Sequence, residues 1–245
     1  MKPDIRIFTE PEIMATSLSE EFYRYVNQLF NSHNSLNVAL SGGNTPLLFF
    51  TKLAEYNGQK LNKIDWKRIH FFWGDERCVP TSHEDSNYGR ASEVFLSTID
   101  IPEKNIHRIN GENDPYNESE RYSQLVRQMV NTKSGIPSFD WVFLGVGTDG
   151  HIASIFPDQI KLINSEKICE VSENPESKQK RVTLTGIILN NAKRITFIVT
   201  GDHKKNVVKN ILNNEGPYKK YPASYIKSNN GVTDWYLDSK AADLI

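Results

Sequence analysis

The stretch NVALSGGNTPLLFFTKLAEY, residues 37–56, decides the fold class. It begins with a compact β-rich run, continues through two glycines, and ends in a segment that reads as a helix. Pro46 suits the first helical position, and Asn44 or Thr45 is expected to be the N-cap. A strand that turns through glycines directly into a helix is typical of βαβ units, so we expect a parallel sheet.

Strand and helix signals alternate along the rest of the chain. Short apolar runs predict strands at 5–8, 37–40, 68–73, 140–145 and 194–200. Apolar residues at helical intervals predict helices at 12–30, 47–56, 86–97, 118–130 and 203–213. Polar, turn-rich segments predict surface loops at 111–120 and 171–181. The predicted fold class is therefore α/β, a mostly parallel sheet flanked by helices.

Composition and charge limit the classes of function. Of the 245 residues, 38% are hydrophobic and 24% charged, and the formal net charge is −1. Such a charge gives no global attraction to nucleic acid or to an anionic membrane, so neither is expected as a partner. Nothing marks a domain boundary, and residues 1–245 are expected to form a single domain. The sequence does not distinguish a monomer from a small homo-oligomer.

The cysteines and the N-terminal segment indicate the cellular compartment in which the protein is expected. Cys78 and Cys169 lie far apart and form no CxxC unit, which fits a reducing compartment. The start of the sequence lacks the apolar region of a signal peptide, and no run approaches the ~20 apolar residues of a membrane-spanning helix. We therefore expect a soluble, cytoplasmic protein.

The glycine turn at residues 41–46, SGGNTP, is the first candidate site. Gly42 and Gly43 allow backbone N–H groups to turn toward a ligand, and the helix N-terminus that follows favours an anion. The turn lacks the lysine of a Walker P-loop, so a nucleoside triphosphate is not indicated. The residues fit a sugar-phosphate or small-anion cradle, but also an ordinary turn before a capped helix.

Three consecutive charges after the strand at 68–73 form the second candidate. Asp75, Glu76 and Arg77 follow the apolar FFWG and suit the rim of a pocket. Arg77 can hold a carboxylate or phosphate with two hydrogen bonds, with Asp75 or Glu76 orienting it. A solvated turn is the alternative. Asp85, Ser86 and Asn87 are candidates to cap the next helix.

The third candidate, FLGVGTDGHIASIFP at 143–157, contains the spacing Gly145-x-Gly147-x-x-Gly150 of the dinucleotide-binding fingerprint. That fingerprint requires a long helix opened by its last glycine. Pro157 cuts such a helix short, because proline is not tolerated in a helix interior. No clear second strand follows either. The sequence therefore disfavours a dinucleotide cofactor.

The same glycines allow another interpretation, in which the chain turns tightly and presents Asp149 and His151 at a strand end. A neutral histidine is a natural general base near pH 7, and an aspartate can fix its tautomer. The alternative is a histidine that only bridges backbone groups within the turn. Two cations, Arg181 and Lys204, fall at other element ends and fit phosphate binding, although solvated cations are common there.

Together these stretches resemble the 6-phosphogluconolactonase family, over nearly the whole chain and in order. The matching pieces are SGGNTP (41–46), FFWGDERCVP (71–80) with DSN (85–87), LGVGTDGHIASIFP (144–157), RVTLT (181–185), TGDHK (200–204), PAS (222–224) and WYLD (235–238). Ile152 and Ile155 stand where the family more often has Thr and Leu. With Ile152 the sequence reads Gly-His-Ile-Ala, which is similar to the motif of the related glucosamine-6-phosphate deaminases. The stretches Ser154–Pro157 and Arg77–Pro80 instead resemble the lactonases.

The resemblance implies a modified Rossmann-like fold, shared with the deaminases and ribose-phosphate isomerases, and a function. The function is hydrolysis of 6-phospho-D-glucono-1,5-lactone, a sugar-phosphate lactone, to 6-phospho-D-gluconate in the oxidative pentose phosphate pathway. The resemblance implies no metal and no organic cofactor. It implies that His151 is the general base that activates water, and that Asp75 and Arg77 lie near the lactone. The implied phosphate grip consists of Gly42, Gly43, Asn44, Thr45, Arg181 and Lys204.

Two other functions stay open. A glucosamine-6-phosphate deaminase or isomerase needs an acid that moves protons between C1 and C2, and Asp75 or Asp149 is available for that role. A regulatory domain that binds a sugar phosphate without reaction is the second alternative. The intact run Asp149-Gly150-His151 argues against it.

Overall fold

The computed structural model describes residues 3–58, 63–229 and 231–245. Within them the strands are β1 (Asp4–Phe8), β2 (Leu36–Leu40), β3 (Ile69–Trp73), β4 (Asp75–Arg77), β5 (Ile106–His107), β6 (Thr132–Lys133), β7 (Ile136–Pro137), β8 (Trp141–Leu144), β9 (Cys169–Glu173), β10 (Lys180–Leu184), β11 (Arg194–Val199) and β12 (Val232–Asp238). The α-helices are α1 (Pro11–Leu29), α2 (Asn44–Asn57), α3 (Asn87–Val94), α4 (Pro115–Met129), α5 (Gly186–Asn190) and α6 (Lys205–Asn213).

A parallel sheet organises the fold. Among the described residues its seven strands lie in the order β1-β12-β11-β8-β2-β3-β5, and every neighbouring pair is parallel. The central strands β2, β8 and β11 are buried along their whole length. Burial on both faces explains their continuous apolar sequences. The predicted α/β class with a mostly parallel sheet is confirmed.

The strand order reverses between β2 and β8, which are hydrogen-bonded neighbours. From β2 the chain proceeds to β3 and β5 on one side, and from β8 to β11 and β12 on the other. The carboxyl ends of β11, β8, β2 and β3 therefore lie side by side. A crevice opens at such a reversal in α/β sheets, and this is where ligands bind.

A small antiparallel sheet, β4-β10-β9, lies beyond the end of β3. Segment 171–181 was predicted to be a loop, and that prediction was wrong in part. Its two ends belong to the paired strands β9 and β10, whereas residues 174–179 form the turn between them. The loop predicted at 111–120 was also wrong in part, because α4 begins at Pro115. Asp114 caps that helix by accepting hydrogen bonds from the N–H groups of Tyr116 and Asn117.

Aromatic side chains fill the core between the sheet and α1 and α2. The ring of Phe22 lies 5.6 Å from that of Trp141 and 6.3 Å from that of Phe49, measured between centroids. Burying each such side chain contributes about 1.5–3 kcal/mol. These contacts fix α2 against the sheet, so the turn that precedes α2 is held at the carboxyl end of β2.

A buried ionic cluster joins α1 to the sheet. Arg194 on β11 donates from Nη1 to Glu21 on α1, at 2.7 Å, and from Nε to Asp234 on β12, at 2.8 Å. Its guanidinium carbon lies 4.1 Å from the ring centroid of Trp141. The Thr196 hydroxyl also donates to Asp234. The cluster therefore joins three elements through one arginine.

No helix in the described ranges is both long and apolar enough to cross a membrane.

Candidate active site

A cleft of about 330 Å³ lies at the carboxyl ends of β2, β3, β8 and β11. This volume falls within the ~300–1,000 Å³ of small-molecule sites. The cleft brings together segments that are separated by more than a hundred residues in the sequence. Of the site residues predicted from the sequence, all but Asp149 line the cleft. Those that line it are Gly42, Gly43, Asn44, Thr45, Asp75, Arg77, His151, Arg181 and Lys204.

The glycine turn after β2 leads into α2 differently from the prediction. Gly43, with φ of 100°, is the N-cap, and the helix begins at Asn44 rather than at Pro46. The predicted side-chain cap was wrong, because both candidates bond elsewhere. Asn44 accepts a hydrogen bond from Arg90, and the hydroxyl of Thr45 pairs with that of Thr200. A glycine cap lets the backbone bend so that the start of α2 faces the cleft, where a helix N-terminus favours an anion.

Gly42 is in close contact with Asn87, the first residue of α3. A Cβ at Gly42 would lie 1.8 Å from Asn87 Oδ1, so a larger residue would displace the Asn87 side chain. The Asn87 amide donates to the backbone carbonyl of Asp75 at 2.9 Å. Asn87 thus joins the glycine turn to β4 and lines the cleft itself.

Alternation along β4 separates the three consecutive charges. Asp75 and Arg77 face the cleft, whereas Glu76 points away. The Glu76 carboxylate accepts hydrogen bonds from the N–H groups of Asn87 and Tyr88 at the start of α3. Burial raises the pKa of Glu76 to about 7, although these N–H groups oppose the shift. Glu76 therefore fixes α3 to β4. Of the two carboxylates predicted to orient the Arg77 guanidinium, Glu76 does not do so.

Arg77 and Arg181 are directly opposite each other on the paired strands β4 and β10. Arg77 Nη1 donates to the carbonyl of Asp85 at 2.6 Å. The buried Nε atoms of both arginines find no hydrogen-bond partner within the described ranges. Burial lowers the pKa of Arg181 despite the opposing charge of Asp75, and the charge of Arg77 lowers it further. Like charges opposite each other are unfavourable, so this pair is suited to an anionic ligand.

The segment after β8 forms a tight turn in place of the long helix of a dinucleotide site. Gly147 N–H donates to the carbonyl of His151, and Gly150 has φ of 79°. The next helical residues form the 3₁₀ helix Pro157–Asn164. The long helix that the dinucleotide-binding fingerprint requires therefore does not follow Gly150, as the position of Pro157 predicted.

His151 and Asp149 form a hydrogen-bonded pair. The distance from His151 Nδ1 to Asp149 Oδ1 is 2.6 Å. Burial acts to raise the pKa of Asp149, but the hydrogen bond from His151 and its charge lower it overall. In the neutral form of His151, an ionised Asp149 accepts the proton on Nδ1, which leaves the Nε2 lone pair for another partner. Asp149 thus lies behind His151 rather than in the cleft lining.

The His151 ring is held from two sides. Its centroid lies 4.9 Å from that of Phe156, and a Cβ at Gly147 would lie 2.1 Å from Nδ1. The side chain remains 31% exposed, toward the cleft. This combination of a fixed ring and solvent access is what a proton acceptor for water requires.

Lys204 supplies a further cation from the segment after β11. It ends the 3₁₀ helix Asp202–Lys204 that follows β11 and directly precedes α6. Burial lowers its pKa, and the charge of Asp149 opposes that shift. The neighbouring His203 also lines the cleft. Sequence reasoning missed His203, although the preceding Gly201-Asp202 is the kind of setting that singled out His151.

Comparisons with known proteins identify the family of the chain. A family model described as glucosamine-6-phosphate isomerases/6-phosphogluconolactonase matches residues 9–235. The chain is 41% identical over 228 residues to a Haemophilus influenzae protein named 6-phosphogluconolactonase, covering 93% of this chain and 94% of that one. A structure of 6-phosphogluconolactonase from Trypanosoma brucei matches with a TM-score of 0.88 at 30% identity, covering 99% and 98% of the two chains.

A monomeric glucosamine-6-phosphate deaminase shares the fold, with a TM-score of 0.83 at 20% identity. That match covers 99% of this chain and 100% of the deaminase. At this identity the likeness concerns the fold alone. The family model, by contrast, matches the sequence itself over residues 9–235, and the Haemophilus influenzae relative is 41% identical. The chain therefore belongs to the glucosamine-6-phosphate isomerase/6-phosphogluconolactonase family.

Proposed function

We propose that this protein is a 6-phosphogluconolactonase, which hydrolyses 6-phospho-D-glucono-1,5-lactone to 6-phospho-D-gluconate in the oxidative pentose phosphate pathway. The observation that carries the proposal is the His151–Asp149 pair, aimed into a cleft that also holds Arg77, Arg181 and Lys204. Relatives that cover nearly the whole chain bear this enzyme name. We place the reaction in the cytoplasm.

In the proposed reaction His151 Nε2 takes a proton from water as the water oxygen attacks the lactone carbonyl carbon. The tetrahedral intermediate then collapses, the bond from C1 to the ring oxygen breaks, and His151 returns its proton to that oxygen. Proton transfer of this kind contributes typically ~10²–10⁴-fold to the rate. Asp149 keeps the imidazole in the required tautomer and stabilises the imidazolium that forms.

The cleft cations and the glycine turn have separate roles in this proposal. The start of α2 at Gly42–Thr45, together with Arg181 and Lys204, holds the phosphate. Asp75 and Arg77 lie near the lactone, where the carboxylate accepts hydrogen bonds from sugar hydroxyls and the guanidinium donates to the developing oxyanion. Holding the phosphate at a distance from C1 positions the carbonyl and lowers the entropic part of the barrier.

The direct test is acid release from freshly prepared 6-phosphogluconolactone, measured against its spontaneous hydrolysis. We expect acid release in proportion to the protein concentration. Glucosamine 6-phosphate serves as the second substrate, because ammonia release from it without lactone hydrolysis would establish a deaminase instead. Calorimetric binding of 6-phosphogluconate with no turnover of either substrate would leave only a binding domain.

Substituting Lys204 tests the phosphate grip. Lys204→Ala is expected to raise KM for the lactone roughly 10–100-fold with little change in kcat, since a charged hydrogen bond to phosphate contributes about 1.5–3 kcal/mol. Lys205→Ala is the matched control, because Lys205 pairs with Asp202 and Asp243 outside the cleft. An unchanged KM in Lys204→Ala would remove Lys204 from the grip.

A further inference from the structure

We propose that Ser154 is a positioning residue, which holds the Asp75 carboxylate away from the cleft arginines and so keeps both signs of charge available to substrate. This inference rests on the proposed lactonase function and assigns a role to a side chain that does not line the cleft. Ser154 is completely buried. A side chain so placed does not touch substrate, so its effect on catalysis acts through the groups that it contacts.

The contact between the two side chains is short. Ser154 Oγ donates to Asp75 Oδ2 at 2.6 Å, within the range of a charge-assisted O–H···O⁻ bond. Asp75 is itself 4% exposed and lines the cleft. A carboxylate with so little access to water depends on protein donors for its orientation.

The arginines compete for the same carboxylate. Asp75, Arg77 and Arg181 lie on one face of the small sheet, since Arg77 and Arg181 are directly opposite and Asp75 is two residues from Arg77. Instead of pairing with Asp75, Arg77 donates to the carbonyl of Asp85, at 2.6 Å. Without the Ser154 hydroxyl, attraction to the two guanidinium groups would draw the carboxylate toward them.

The backbone is strained at Ala153, the residue directly before Ser154. Ala153 has φ of 45°, in the left-handed region, within the two-residue turn between Ile152 and Ile155. A non-glycine residue in that region costs about 1–2 kcal/mol and tends to occur at functional sites. The Ser154 N–H is fixed as well, because it donates to the hydroxyl of Thr183 at 3.2 Å.

The same turn connects Asp75 to the proposed base. His151 lies three residues before Ser154 on one continuous segment, so the Ser154–Asp75 bond ties that segment to β4. The bond thereby fixes the proposed base relative to the groups proposed to face the lactone. Small misplacements of such groups, about 1 Å, can cost about 10²-fold in rate.

The test compares Ser154→Ala with Ser138→Ala in steady-state lactone hydrolysis and in thermal unfolding. Ser138 is the matched control, because it is 4% exposed and its Oγ donates to the carbonyl of Asn191 at 2.7 Å, away from the cleft. We expect both variants to lower Tm by roughly 2–4 °C. Only Ser154→Ala should lower kcat, by about 10–100-fold, with KM changed less than about threefold.

Equal kcat values for Ser154→Ala and the wild type would overturn the inference, as would an equal loss in Ser138→Ala. Ser154→Cys keeps nearly the same volume with a weaker donor, and is expected to lower kcat severalfold. If the alanine variant does not fold, Ser154→Cys replaces it in the test. A wild-type kcat in Ser154→Cys would then overturn the inference. Failure of the wild-type protein to hydrolyse the lactone would instead contradict the proposed function.

Discussion

Replacing His151 with alanine is expected to lower kcat by about 10²–10⁴-fold while KM changes less than about threefold. The imidazole is proposed to act on water in the transition state, whereas the lactone's phosphate is proposed to be held by other residues. Its loss therefore removes transition-state stabilisation without removing ground-state binding. Steady-state kinetics corrected for spontaneous hydrolysis provide the measurement.

Two further measurements make this experiment specific. His33→Ala is the control, because His33 lies beyond the end of α1, where its ring contacts the carbonyl of Leu29. That variant should retain wild-type kinetics. Free imidazole in the buffer should restore part of the activity of His151→Ala, since the missing group is a diffusible base. Near-normal turnover by His151→Ala alone would refute the assignment of the base.

Replacing Arg194 with leucine is expected to lower the free energy of unfolding by about 3–5 kcal/mol. Leucine retains part of the packing against Trp141, but it leaves Asp234 buried without its ion-pair partner. Glu21 also loses its contact with Arg194 but keeps its ion pair with Arg24. An uncompensated buried carboxylate is far more costly than a lost surface pair. Urea unfolding at neutral pH measures the change through the midpoint and the slope m.

Lys167→Leu is the control for the arginine variant. Lys167 is 72% exposed and pairs with Glu170 on the surface, where such pairs contribute about 0–1 kcal/mol. A loss below about 1 kcal/mol in Arg194→Leu would show that the buried cluster contributes no more than a surface pair does.

The central sheet was predictable because its strands carry their signal locally. Strands β2, β8 and β11 are covered on both faces, so their sequences are unbroken apolar runs. The β9–β10 hairpin was not predictable in the same way. Its first strand, CEVSE, mixes polar and apolar residues, and its ladder depends on pairing with β10. Strand propensity reflects such context more than the residues themselves.

The site shows the same division between local and long-range information. The run from Asp149 to His151 favoured an aspartate that fixes the histidine tautomer, and the two side chains form a hydrogen bond within one turn. The orientation of Glu76 was predictable from the sequence, since alternation along a strand separates its side chain from those of its neighbours. The position of Asn87 in the cleft was not predictable. Sequence suggested only a helix cap, whereas its place in the cleft depends on close contact with Gly42 from a distant segment.

The facing arginines on β4 and β10 make salt concentration a variable in turnover. In the proposed reaction the uncharged ester group of the lactone becomes a carboxylate while the phosphate is unchanged. The product therefore carries one more negative charge than the substrate. Arg77 and Arg181, adjacent on paired strands, attract the product more strongly for that reason. In the proposed reaction these arginines are therefore expected to slow product release, and screening by added salt is expected to weaken their attraction for the product. Moderate ionic strength should therefore favour release while it weakens capture of the lactone.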